Sequence, residues 1–110
     1  MTSPTVPAAS SPIRLCGIDD VLEGCALKVE HGGTAYAVYN VGGVYFVSDD
    51  MCTHGPGSLG EGELYGDIIE CNFHGGQFNV RTGEVAGPPC MVPVRTYKVR
   101  VDGTDIFIEP

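Results

Sequence analysis

The sequence predicts an all-β domain, and three observations carry that expectation. Sixteen of the 110 residues are Gly and eight are Pro, with Val, Ile and Tyr abundant, which suits many short strands joined by tight turns. No window holds a 3.6-residue period long enough for a helix. Gly pairs and an Asp-Gly punctuate the apolar runs at hairpin spacing.

Taken in order, Met1 to Pro12 is rich in Ser, Thr and Pro, lacks Lys and Arg, and is expected to be a disordered tail rather than a signal peptide. Ile13 to Cys16 reads as a first strand, and Asp19 to Gly24 as a turn or one short helical turn. Cys25 to Glu30 leads through His31-Gly32-Gly33 into Thr34 to Tyr39, and Asn40-Val41-Gly42-Gly43 turns the chain into Val44 to Ser48. These four segments are expected to form a meander. At the far end Val94 to Val101 and Ile106 to Ile108 flank Asp102-Gly103-Thr104, another hairpin. Between Asp49 and Pro93 the strands shorten, Gly and Pro crowd in, and two of the three histidines appear beside two of the five cysteines. One domain from 13 to 110 is therefore expected, an antiparallel sandwich or barrel-like base with a small inserted subdomain at about 49–93 that carries the chemistry on loops.

Charge narrows the partners. Fourteen acidic against six basic residues give a formal charge of −8, which repels phosphate backbones and acidic membrane surfaces, so neither nucleic acid nor membrane is expected. No apolar run approaches the ~20 residues of a membrane helix. A cytoplasmic protein follows as the expectation. An odd number of cysteines in a reducing compartment points to metal ligation or burial rather than disulfides.

The chemistry concentrates in Cys52-Thr53-His54 and Cys71-Asn72-Phe73-His74, two Cys/His pairs with 16 residues between them, each followed by Gly. Four such ligands on two loops can hold one zinc ion or a two-iron cluster. Zinc knuckles begin with two cysteines two to four residues apart. A one-residue gap in one pair and a two-residue gap in the other favours the cluster, with both thiolates on one iron and both imidazoles on the second.

These residues resemble the Rieske [2Fe–2S] signature, and the chain from about Ile13 to Ile108 resembles the small Rieske-type ferredoxins of bacterial aromatic ring-hydroxylating dioxygenase systems, such as those acting on biphenyl and naphthalene. Beyond the ligands, the likeness extends to Ser58-Leu59, Gly66-Asp67-Ile68-Ile69-Glu70-Cys71, His74-Gly75-Gly76-Gln77-Phe78, Val80-Arg81-Thr82-Gly83 and Pro88-Pro89-Cys90. It implies the Rieske fold, one [2Fe–2S] cluster per chain held by Cys52, His54, Cys71 and His74, and a proline loop at Pro88 and Pro89 that limits water access. Gly55, Gly57, Gly75 and Gly76 suit loops that turn backbone amides toward cluster sulfur, or simply close turns. High-potential members carry a disulfide between the loops and hydroxyl donors to sulfur. Here Gly55, Pro56 and Gly57 follow the histidine in the first loop, Asn72-Phe73 stand in the second where that class carries its cysteine, and Gly76 and Phe78 occupy the hydroxyl positions. The reduction potential is therefore expected near the low end of about −150 to +300 mV.

A cluster with four protein ligands has no open position, so electron transfer is its chemistry and the chain is not expected to be an enzyme. Only His31 would be left for a second iron, which rules out the two-His-one-carboxylate triad of an oxygenase. No Gly-X-Gly-X-X-Gly joins a strand to a helix. The resemblance implies electrons arriving from a flavin-dependent NAD(P)H reductase and leaving to a terminal oxygenase, with a monomeric shuttle between them. Pro56, Phe73 and Pro88 are expected to form the contact surface. The alternatives are a zinc-bound binding module, a Rieske-like small subunit of another redox complex of the nitrite reductase small-chain type, and, more remotely, a Cys–His nucleophilic enzyme. Cys16 and Cys25 read as small apolar filler, Cys90 as packing beside the proline loop, and His31 as an exposed turn residue. Glu61, Glu63, Asp67 and Glu70 read as a solvated face that also steers a basic partner.

Overall fold

A computed structural model describes residues 12–53, 57–73, 75–88 and 92–109. The expected N-terminal tail, Pro12 apart, lies outside the described residues. Among the described residues ten strands form two antiparallel sheets. The larger uses β1 (Ile13–Gly17), β2 (Ala26–His31), β3 (Thr34–Val41), β4 (Val44–Asp49), β9 (Thr96–Asp102) and β10 (Asp105–Glu109), in the order β1-β10-β9-β4-β3-β2. Its two end strands, β1 and β2, lie beside each other, so the sheet nearly closes into a barrel. The smaller runs β5 (Glu63–Tyr65), β6 (Ile68–Glu70), β7 (Gln77–Asn79) and β8 (Val85–Gly87) in sequence order.

The hairpins sit where the Gly pairs place them. Gly32 and Gly33 turn β2 into β3 with φ of 59° and 85°, and Gly42 and Gly43 turn β3 into β4 with φ of 60° and 91°. Two consecutive positive φ values define the turn whose twist matches the strands it joins. One expectation needs correction. β2, β3 and β4 form a meander, but β1 does not extend it: Ile13 pairs with Ile108 and Gly17 with Asp105, at the other end of the chain. Between β1 and β2 the chain makes one 3-10 turn at Ile18–Asp20, opened by the Gly17 N–H donating to Asp20 Oδ2 at 2.8 Å.

β3 explains how the sheets meet. Five consecutive residues, Tyr36 to Asn40, are buried. Alternate side chains point to opposite faces of a strand. Tyr36 and Val38 accordingly join the barrel interior with Leu15, Cys16, Val47, Ile106 and Ile108. Ala37 and Tyr39 face outward into a second core with Leu59, Ile69, Phe78, Val80 and Val94. The two remaining members of that second core are Cys52 and Cys71. The Tyr39 hydroxyl, fully buried, donates to Ser48 Oγ at 2.7 Å, and the Ser48 hydroxyl in turn donates to the Asp49 carbonyl at 2.9 Å.

Arg81 braces the junction from outside. Its guanidinium pairs with Asp67 at 3.0 Å and lies 4.9 Å from the centroid of the Phe46 ring, joining the β5–β6 turn to β4.

Two cysteines outside the second core differ from each other. Cys16 is buried as filler, and burial, then nearby Asp20, pushes its thiol above the ordinary range against the opposing pull of Arg14. Cys25 is exposed, not filler: it precedes β2, outside the barrel. A thiol-specific reagent is therefore expected to modify Cys25 in the folded protein and spare Cys16 by a factor of roughly 100 or more, read by peptide mass mapping. Equal rates at the two positions would show that the barrel opens readily.

Candidate metal centre

Two loops rise from the second core, and each closes in the same way. The Cys52 N–H donates to the Gly57 carbonyl at 3.1 Å, and the Cys71 N–H donates to the Gly76 carbonyl at 2.7 Å. In both loops, then, a cysteine amide bonds the carbonyl of the glycine five residues on, so the two are related by a local pseudosymmetry. Gly75 has φ of 71°, in the region that favours glycine, at the second closure. His54, Gly55 and Pro56 of the first loop, His74 of the second, and Pro89 and Cys90 lie outside the described residues.

The described part of the site is a pair of buried thiols. Cys52 and Cys71 are 2% and 3% exposed, and neither is in a disulfide. Their side chains interact. Burial pushes the Cys71 thiol up to about 11, the Phe73 amide opposes that rise, and hydrogen bonding and charge from Cys52, with charge from Asp50, add to it. The Phe73 N–H donates to Cys71 Sγ at 3.4 Å, the kind of amide-to-sulfur bond that stabilises a metal-bound thiolate. Because the free thiol is held protonated, a metal taken up here must displace that proton.

Close approach between the loops depends on Gly57. A Cβ there would lie 2.5 Å from Cys71 Sγ and 3.1 Å from the Phe73 Cβ. The first loop packs its backbone directly onto the sulfur of the second.

Sequence reasoning missed several neighbours. Asp50 is 3% exposed, and its Oδ1 accepts from Ser58 Oγ and from the Gly60 N–H, both at 2.8 Å. Asn72 Oδ1 accepts the Ser58 N–H at 2.8 Å, linking the loops directly. The Thr53 hydroxyl donates to the Val92 carbonyl at 2.7 Å, which holds the segment after the proline pair beside the first loop. The only signal was position: Asp50 stands two residues before Cys52, and Asn72 follows Cys71.

Several of the described side chains exposed beside the loops are apolar. Phe73 is 42% exposed, Met51 70% and Val92 58%, and Pro88 is exposed as well. A groove of about 880 Å³ beside Met51, Cys52, Gly57 and Asn72 opens on the same side. Glu61 and Glu63 are exposed, as expected of a solvated face, while Asp67 and Glu70 are half-buried.

The Rieske [2Fe–2S] domain family matches residues 11–98, a span that includes both loops. The chain belongs to this family. Its cofactor is a Rieske-type [2Fe–2S] cluster. This Rieske domain is 43% identical over 97 residues to the biphenyl dioxygenase ferredoxin subunit of Pseudomonas sp. strain KKS102, covering 87% of this chain and 89% of that one. It is 44% identical over 99 residues to the ferredoxin component of the p-cumate 2,3-dioxygenase system of Pseudomonas putida, covering 88% and 84%. A chain in a solved complex of reduced oxygenase and oxidized ferredoxin in carbazole 1,9a-dioxygenase superposes with a TM-score of 0.83 at 41% identity, covering 89% of this chain and 92% of that one. The described residues fit the cluster: two buried thiols from different loops meet at one point, with an amide donor already on one sulfur.

Proposed function

We propose that the Rieske domain carries single electrons from a flavin-dependent NAD(P)H reductase to the terminal oxygenase of an aromatic ring-hydroxylating dioxygenase. The observation that carries this reading is the meeting of Cys52 and Cys71, buried and free of disulfide, in a chain about 43% identical to dioxygenase ferredoxins. In it Cys52 and Cys71 hold one iron, and His54 and His74, at the Rieske spacing, hold the other. When bound, the cluster supplies a site that gains and loses one electron without opening a coordination position.

The chain's residues set the conditions for that exchange. Burial of the cysteines shields the sulfur side from water, and the Phe73 amide is a fixed donor to Cys71. Gly76 and Phe78 bring no hydroxyl to the site, and Phe78 is fully buried in the second core. Without a hydroxyl donor at Gly76 and Phe78, added negative charge is less stabilised, which places the reduction potential near the low end of about −150 to +300 mV. The inserted stretch at about 49–93 acts as the cluster-binding unit, the protein works in the cytoplasm as a monomer, and Gly55, Gly57, Gly75 and Gly76 shape the loops around the cluster.

Docking uses the apolar rim. Phe73, Met51 and Val92 are exposed at the loops, with Pro56 and the Pro88-Pro89 pair beside them in sequence. Electron transfer falls steeply with distance, so a partner must seat on this rim. Replacing Phe73 or Met51 with Ala is expected to slow transfer to the oxygenase roughly tenfold while leaving the visible spectrum unchanged, consistent with loss of one buried anchor worth about 1–2 kcal/mol. Unaltered transfer in both variants would move the contact elsewhere.

Anaerobic purification tests the whole reading. The expected result is a red-brown protein with two irons and two labile sulfides per chain, a paramagnetic signal after dithionite, and, on admission of dioxygen, product formed from an aromatic substrate when reductase, NAD(P)H and oxygenase are present. A colourless protein that binds zinc overturns it, as does a midpoint well above zero for the potential.

A further inference from the structure

Ser58 stands at the centre of a continuous polar chain that spans the two loops. Its hydroxyl donates to Asp50 Oδ1 at 2.8 Å, and its N–H donates to Asn72 Oδ1 at 2.8 Å. Asp50 is in turn fixed to the base, because its N–H donates to the Ala35 carbonyl of β3 at 3.2 Å and its own carbonyl accepts the Leu59 N–H at 2.8 Å. The same Oδ1 takes the Gly60 N–H at 2.8 Å. Asn72 is adjacent to Cys71, and Asp50 is two residues from Cys52. Among the described cysteines none is in a disulfide, so no covalent bond of that kind ties these loops.

We infer that Asp50, Ser58 and Asn72 form a polar clamp that fixes the spacing between the loops bearing Cys52 and Cys71, and that they are positioning residues for the cluster. The inference rests on the reading that those cysteines are ligands. A buried carboxylate that accepts two donors is held in one orientation, because releasing either donor leaves a buried polar group unmatched. That orientation fixes Ser58, and Ser58 fixes Asn72 and with it the start of the second loop. Metal–sulfur distances tolerate deviations of only about 0.2 Å, so a loosened clamp acts directly on how long the cluster is held. Asn72 is itself exposed, so changing it tests the clamp without opening the core.

The test compares Asn72→Leu, which is close in size but has no acceptor, with Asn72→Asp, which keeps an oxygen toward the Ser58 N–H. In the intact holoprotein Asn72→Leu, which removes the Ser58 N–H bond and the 3.9 Å contact between Asn72 Oδ1 and Cys71 Sγ, is expected to release iron to a ferrous chelator about fivefold faster than wild type and to broaden the paramagnetic lines of the reduced cluster. Asn72→Asp is expected to stay within about twofold of wild type. A third variant, Ser58→Ala, removes the bond to Asp50 and, with the same hydroxyl, the bond from the Glu61 N–H at 3.2 Å; combined with Asn72→Leu it should cost less than the product of the two single effects, because both act on one chain. Unchanged release and line shape in Asn72→Leu overturns the clamp, and fully multiplicative effects overturn its continuity. Failure of the ligand reading looks different: Cys71→Ala would then keep its iron.

Discussion

Replacing Gly57 with Ala is expected to cut cluster content roughly tenfold or more while leaving both sheets folded. The added Cβ would sit 2.5 Å from Cys71 Sγ, a distance that non-bonded carbon and sulfur do not tolerate. In the protein without a cluster the remedy is cheap, since a free thiol rotates away about one bond. A thiolate bound to iron has no such freedom, because its position is set to within about 0.2 Å by the metal. The first loop would have to lift instead, breaking the Cys52 amide bond to the Gly57 carbonyl. The φ of Gly57 is not among the positive values, so the penalty is one of space, not of backbone conformation. Gly66→Ala is the matched control: its φ is 60° and nothing lies within 4 Å of the new Cβ, so it should load normally at a small cost in stability. Iron and labile sulfide per chain, with far-ultraviolet circular dichroism for the sheets, decide the matter. A fully loaded Gly57→Ala protein would show that the loops do not pack on each other as described.

The fold was legible wherever the information was local. Ile13 to Cys16 anticipates β1 within one residue, and Val44 to Ser48 anticipates β4 equally well, because alternation and Gly-Gly turns act over a few residues. The partner of β1 was not legible. Its ladder to β10 joins residues 88 to 95 apart, as in Gly17 with Asp105 and Ile13 with Ile108, and nothing in a five-residue strand specifies which distant edge it completes. The smaller sheet was visible only as a change in texture, since strands of three residues carry too short a pattern to separate from loops.

At the site the spacing of Cys and His was informative because metal geometry constrains it, whereas the supporting residues carry no comparable code. Asp50 looks like any surface carboxylate beside Asp49 until Ser58 and Gly60 fold back over it. Cys25 failed in the opposite direction. Cysteine is usually buried, but a residue placed between an exposed turn and the first residue of β2 takes the exposure of the turn.

Gly83→Ala is expected to lower stability by about 3 kcal/mol or more. Two penalties coincide there. Gly83 has φ of 82°, which costs a side-chain-bearing residue about 1–2 kcal/mol. Its new Cβ would also lie 2.2 Å from the Val94 carbonyl oxygen and 3.0 Å from Thr96 Cγ2. Backbone cannot rotate away as a side chain can, so the segment that enters β9 must shift, straining the bond from the Val94 N–H to the Gly83 carbonyl at 2.9 Å. Val94 belongs to the second core with Cys52 and Cys71, so the displacement propagates to the floor of the metal site. For a domain of this size 3 kcal/mol lowers the melting midpoint by roughly 15 °C. Gly83→Asn separates the two penalties: asparagine tolerates the positive φ but brings the same Cβ, so it should be no better than Ala, whereas Gly66→Asn should be close to neutral. Thermal unfolding followed both by circular dichroism and by visible absorbance is the measurement. Loss of colour and loss of sheet should coincide in Gly83→Ala, and a midpoint within about 3 °C of wild type would mean that the β7–β8 hairpin is not seated on the β9 approach.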